Sequence, residues 1–184
     1  MSRQPSRGRA DQKLEYAGIH LGELRSYPGR TSNDAWENAH QESCLFHLAG
    51  AVDALLHEIN EAYSLDLQRT NVHWGSVSRS LRKAGRVSPA FNRMSALREQ
   101  KGEWLDLLYE WRNHGTHRGR VGKVVYVSTT RRENDNEFKD PRDGSVPGTF
   151  SGLGCQQVLE CLAAHAEQLV EDCRRIDPEL RCSE

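Results

Sequence analysis

Arg112, Asn113, His114 and His117 stand together in one short run of the chain. Arg112 carries a permanent charge on a planar fork that matches a phosphate. A histidine gives or takes a proton near neutral pH. A charge on the phosphate and a proton carrier beside it are the minimum equipment for phosphodiester chemistry without a metal. Two histidines compete for the second role. Asp106, Glu110 and His114 line one helical row at successive i, i+4 steps, where Glu110 is placed to orient His114 or raise its pKa. His117 follows Gly115, a natural helix stop, so it is expected at or just past the helix end, where a side chain reaches into a cleft.

A helix must carry this run. Met94, Leu97, Trp104, Leu105, Leu108 and Trp111 recur at helical spacing, and Gly102 is expected to kink or split the segment. Arg112 falls on the edge of that apolar face. A charge there is costly unless paired, so the alternative is an arginine locked in a structural ion pair. A second, longer helix precedes it over residues 34 to 63. Its stripe is Leu45, Leu48, Ala49, Val52, Leu55, Leu56, Ile59, Ala62 and Tyr63. Gly50 in its middle suggests close approach of another helix. Asp53 and His57 sit one turn apart beside the stripe and read as a surface i,i+4 pair, with Asp53 the auxiliary candidate for the site. His40 and His47 share this helix and read as surface or core-edge residues.

The order Arg112-Asn113, a short gap, then His117 resembles the signature of HEPN domains (higher eukaryote and prokaryote nucleotide-binding). The resemblance covers most of the chain, from Asp34 to the C-terminal helix. It implies an all-α bundle that dimerises and brings two copies of the motif together. It also implies RNA cleavage by attack of the ribose 2′-OH on the adjacent phosphate, leaving a cyclic phosphate. In that reading His117 is the general base or acid, Arg112 stabilises the charged phosphorane, and Asn113 positions a phosphate oxygen or the imidazole. The family favours His117 over His114. Its relatives silenced by nucleotide transfer carry a tyrosine two residues past the motif histidine. Gly119 stands there in this chain, so that form of silencing is not expected.

The rest of the chain sets the frame. At 184 residues one domain is expected, and a net charge of −1 gives no global nucleic-acid signature. The charge distribution is more informative. Arg112, Arg118, Arg120, Lys123, Arg131 and Arg132 follow one another with no acidic residue between them, and the last five are the candidate RNA-binding residues. The plain alternative is a solvated basic loop. No apolar run approaches the ~20 residues of a membrane span, and the first residues lack a secretory core. Five cysteines without paired spacing read as reduced thiols of a cytoplasmic protein, with no metal site and no cofactor.

Residues 1–13 are expected to be a disordered basic tail, and residues 14–184 a single helical domain that opens on a short helix or arm. Residues 72 to 84 read as a helix ending at Gly85, Ser88-Pro89 as a cap followed by proline, and residues 155 to 176 as a striped final helix. His165 lies off that stripe. Residues 123 to 129 suggest a strand, and residues 130 to 150 a mobile insertion with a hairpin through Phe138. The fold class is therefore all-α, a bundle-like domain of four to five helices with a small β insertion after the motif.

Three functions from different classes follow. The first is a metal-independent endoribonuclease, a toxin or antiphage effector acting on tRNA or mRNA, with an antitoxin or defence-system protein as its partner. The second is a non-catalytic helical dimer that binds nucleic acid or a nucleotide. The third is a structural subunit in which Arg112 and His117 only staple a helix end.

Overall fold

The computed structural model describes residues 8–26, 35–117, 121–124 and 136–181. The order of elements is α1 (Arg9–Ser26), α2 (Ala35–Ala62), α3 (Trp74–Lys83), α4 (Pro89–Arg98), α5 (Trp104–His117), β1 (Lys123–Val124), β2 (Glu137–Phe138), α6 (Cys155–Ile176) and α7 (Pro178–Arg181). Short 3₁₀ turns lie at Arg69–Asn71 and Gly148–Phe150. The fold class is all-α.

α2 is the axis. Its 28 residues make a rod about 42 Å long at ~1.5 Å per residue. Leu45, Leu48, Val52, Leu55, Leu56 and Ile59 are fully buried along it, because helical spacing stacks them on one stripe. α1 packs antiparallel on α2: His20 meets His40, the Lys13 stem runs past Gly50, and the Ala10 amide donates to Glu58. No helix backbone comes unusually close at Gly50: a Cβ there would meet only the Lys13 stem, at 3.4 Å. α6 closes the trio. Arg174 ties it to Asp11 and Glu58, and Arg25 ties α1 back to Glu160.

α1 corrects one expectation. It begins at Arg9, so residues 9–13 are helical rather than tail. Ala10 is fully buried, and Asp11 and Lys13 are engaged by α6 and α2. Those tertiary contacts supply what the polar local sequence lacks.

α3 and α4 are punctuated as their sequences require. His73 and Ser76 form a reciprocal cap on α3. Gly85 follows it in the left-handed region at φ 63°. Ser88 caps α4 with Pro89 at its first position. Asp177 is buried and fastens this corner, accepting hydrogen bonds from Ser88, the Ala90 amide and Tyr63. Gly102, at φ 78°, separates α4 from α5 rather than kinking one helix.

Residues 136–150 also correct the sequence reading. They pack on the bundle instead of forming a mobile insertion. Phe138 and Phe150 are buried on the Trp111 ring, with centroids 5.2 and 5.8 Å away, and Trp111 Nε1 donates to the Lys139 carbonyl at 2.7 Å. Arg142 binds Asp106 and Asp140 together. Two phenylalanines, and one arginine on two buried carboxylates, hold a segment whose overall composition looks unable to pack. Lys123 and Val124 pair antiparallel with Phe138 and Glu137, which gives the small β element. The rest of the strand expected over residues 123 to 129, and the loop up to residue 135, lie outside the described residues.

Cys44, Cys155 and Cys173 are free and buried, and burial pushes each thiol up to about 12. No described helix is long and apolar enough to cross a membrane.

Candidate functional site

α5 presents the motif to α2. Leu105, Leu107, Leu108 and Trp111 are fully buried and fix the rotation of α5 against the bundle. Arg112 then lies at the margin of that face, with its side chain 23% exposed. Its Nη2 donates to Asp53 of α2 at 3.3 Å, and the same carboxylate accepts from the Tyr109 hydroxyl at 2.7 Å. The guanidinium stands 5.1 Å from the centroid of the Tyr109 ring. Arg98, from α4, stacks on that ring at 4.8 Å and on Trp74 at 4.7 Å. Burial foremost, then the Asp53 charge, push the Tyr109 phenol well above the usual tyrosine range. Tyr109 is thus a fixed donor that holds Asp53 in place for Arg112.

Asp53 therefore faces Arg112 and not His57, and the expected surface pair is replaced by a contact between helices. Tyr109 and Arg98 carried no signal in the sequence, because their roles arise only when α2, α4 and α5 meet. Asp106 leaves the supposed acidic row. Burial opposes its ionisation, but the Gly102 amide, Lys101 and Arg142 outweigh it and hold the carboxyl below its ordinary range. Glu110 and His114 make no hydrogen bond with each other among the described residues, and His114 Nδ1 is buried without a hydrogen-bond partner there. Asn113 is exposed.

The helix does not stop at Gly115. It runs on to His117, which stands at the helix end, as expected. A Cβ on Gly115 would meet Val121 at 3.5 Å and Glu42 at 3.7 Å, ordinary contact distances, so packing does not demand the glycine there. On a helix of 3.6 residues per turn, position 117 follows Asn113 by about one turn and lies roughly 140° around the axis from Arg112. Arg118, Arg120, Arg131 and Arg132 lie outside the described residues. Lys123 is engaged: Nζ donates to Asn38 at 2.6 Å and lies 3.6 Å from Glu37, with the side chain 7% exposed. It is a structural contact to α2 here, not a free phosphate ligand.

A cavity of about 390 Å³ opens beside Arg112, between α2 and α5, with Glu42, Ser43, Phe46, His47, Trp111 and Gly115 on its walls. Phe46, which the sequence reading did not single out, is 48% exposed. Behind the cavity is a histidine cluster that sequence spacing did not reveal. His20 Nδ1 lies 3.1 Å from His40 Nδ1, and His20 stacks on His47 with centroids 5.5 Å apart. Among the described residues, no group of three or more His, Cys, Asp or Glu is arranged to hold a metal ion.

This cluster gives the fold an acid sensitivity. Burial, then the His40 charge, push His20 below the ordinary histidine value against the opposing pull of Glu23. Burial, then Lys13 and His20, do the same to His47. Stability is complete above the unfolded value of about 6.5 and falls as pH drops below it, because the unfolded chain takes up protons that the folded rings resist. Asp106, held low against its burial by the Gly102 amide, Lys101 and Arg142, and Asp140, held low by Arg142, lose their contribution only in stronger acid. The thermal midpoint is therefore expected to be a few degrees lower at pH about 5.5 than at about 7.5, and His20→Gln is expected to shrink that difference. Equal midpoints in the wild-type protein would contradict this.

Comparison with known proteins adds a family and no activity. Neither the curated proteins nor the solved structures contain a match. Residues 1–133, spanning α1 to α5 and the whole motif, match the "Family of unknown function (DUF6586)", and the chain belongs to that family.

Proposed function

We propose that the protein is a metal-independent endoribonuclease of the HEPN type, a cytoplasmic toxin or antiphage effector that cuts tRNA or mRNA. The observation that carries this reading is Arg112, held by Asp53 and Tyr109 at the edge of a cavity large enough for part of a nucleic-acid strand. An arginine aimed by a buried tyrosine and a carboxylate is preorganised, and a preorganised cation stabilises developing phosphorane charge without reorganising. His117 removes the proton from the 2′-OH or delivers one to the leaving 5′ oxygen. Asn113, exposed one turn before it, binds a phosphate oxygen or the ring.

One helix sets Arg112 and His117 on different sides, so the proposal includes a homodimer in which two motifs meet. Sedimentation is expected to show a dimer at tens of micromolar, and a crystal of it to show the two α5 ends adjacent. A monomer, or a dimer with the motifs on opposite outer faces, would contradict the composite site. An antitoxin or defence-system partner would act on this assembly by a route other than modification at Gly119.

The second reading is a binding module that grips RNA without cutting. Its support is the ion pair itself, since an arginine already neutralised by Asp53 is suited to structure as well as to catalysis. Both readings share one consequence. RNA affinity is expected to fall with salt, at ~0.7 in the logarithmic slope per phosphate neutralised on single strands. Arg118→Glu with Arg120→Glu is expected to flatten that slope by more than ~1. Salt-independent binding would remove the basic patch from the account.

A further inference from the structure

We propose that the cavity between α2 and α5 takes one unstacked guanine of the substrate strand, with the base over Phe46, its N–H edge on Glu42 and its phosphate toward Arg112. The proposal rests on the RNA reading of the same site and names what the site selects. Three observations carry it. Phe46 keeps 48% of its surface exposed at the cavity wall, with Lys13 Nζ 5.5 Å from its ring centroid. An exposed aromatic flanked by cations is the usual platform for an unpaired base beside a phosphate. Next, Glu42 lines the cavity and makes no hydrogen bond or ion pair among the described residues. A carboxylate with two acceptor oxygens matches the parallel N1–H and N2–H donors of guanine. Uracil has no amino donor beside its imino group, and adenine and cytosine present a ring acceptor beside theirs. Last, His47 borders the same space, and its Nδ1 is buried with no hydrogen-bond partner among the described residues. A buried ring nitrogen left unpaired is costly, and a base carbonyl or hydroxyl would satisfy it.

The test uses the full chain and two kinds of probe. Calorimetric titration compares guanosine, adenosine, cytidine and uridine 5′-monophosphates. It is repeated with oligouridylate carrying one internal guanosine against plain oligouridylate. Guanosine monophosphate is expected to bind about tenfold or more tighter than uridine monophosphate. Glu42→Gln is expected to erase that preference with circular dichroism unchanged, and Phe46→Ala to weaken all four nucleotides by about tenfold. Preference in the oligonucleotide but not in free nucleotides would still support the pocket and assign its occupant to RNA. Preference confined to free nucleotides would overturn the substrate-strand assignment. Equal binding of all bases, or a guanine preference unchanged by Glu42→Gln, would overturn the proposal. RNA cleavage is scored separately, so the two ideas fail separately. Cutting at all bases alike, with no selective binding, removes the pocket and leaves the nuclease. Selective binding without any cutting removes the nuclease and leaves the pocket.

Discussion

Arg112→Ala and His117→Ala are each expected to abolish RNA cleavage in excess EDTA while the helical circular dichroism signal stays at its wild-type level. A general acid–base histidine contributes ~10²–10⁴-fold to rate, and a preorganised charge on the reacting phosphate contributes about as much. The expected losses are therefore at least about a hundredfold in each single variant. The Arg112 change leaves Asp53 bonded to Tyr109 and 40% exposed, so its stability cost is held to about 1 kcal/mol. His114→Ala is the control and is expected to cost far less activity than His117→Ala. Loss on the His114 change with activity surviving the His117 change would reassign the proton carrier. Loss of helicity together with activity would point to the structural staple.

Trp111→Ala is expected to be the most destabilising single change near the site, at about 3–5 kcal/mol. Trp111 is fully buried, carries Phe138 and Phe150 on its ring, and donates to the Lys139 carbonyl. Its loss leaves the Arg142–Asp106 ion pair to tie residues 136–150 to α5, and opens the floor of the cavity. For a chain of this size the thermal midpoint is expected to fall by about 10 °C or more. Trp111→Phe keeps most of the packing but leaves the carbonyl without its donor, for about 1–3 kcal/mol. Denaturant unfolding monitored by circular dichroism measures both. A Trp111→Ala variant within about 1 kcal/mol of wild type would show that residues 136–150 are held by something other than this ring.

What could be read in advance follows from what is local. α2 and α6 announce themselves because their apolar residues repeat with the period of a helix, and burial in the structure follows that stripe. The margin position of Arg112 was legible for the same reason. Its partner was not: Asp53 and Tyr109 are joined only by the packing of α2 on α5, and Asp53 has an equally good local partner in His57. Gly115 misled because a glycine near a helix end signals a stop, whereas here α5 carries it for two more residues, to His117. Residues 136–150 misled because two phenylalanines and one arginine anchor a segment that is otherwise polar. The histidine cluster stayed hidden because one of its members comes from a helix whose own sequence shows only scattered apolar residues.

The measurement that bears most directly on the central claim is the chemistry of the product ends. Wild-type protein is incubated with a defined single-stranded RNA in EDTA, and the fragments are analysed by mass spectrometry. Attack by the 2′-OH under Arg112 and His117 predicts fragments ending in 2′,3′-cyclic phosphate paired with fragments beginning in 5′-hydroxyl. Fragments beginning in 5′-phosphate, or RNA that is bound and left whole, would contradict it.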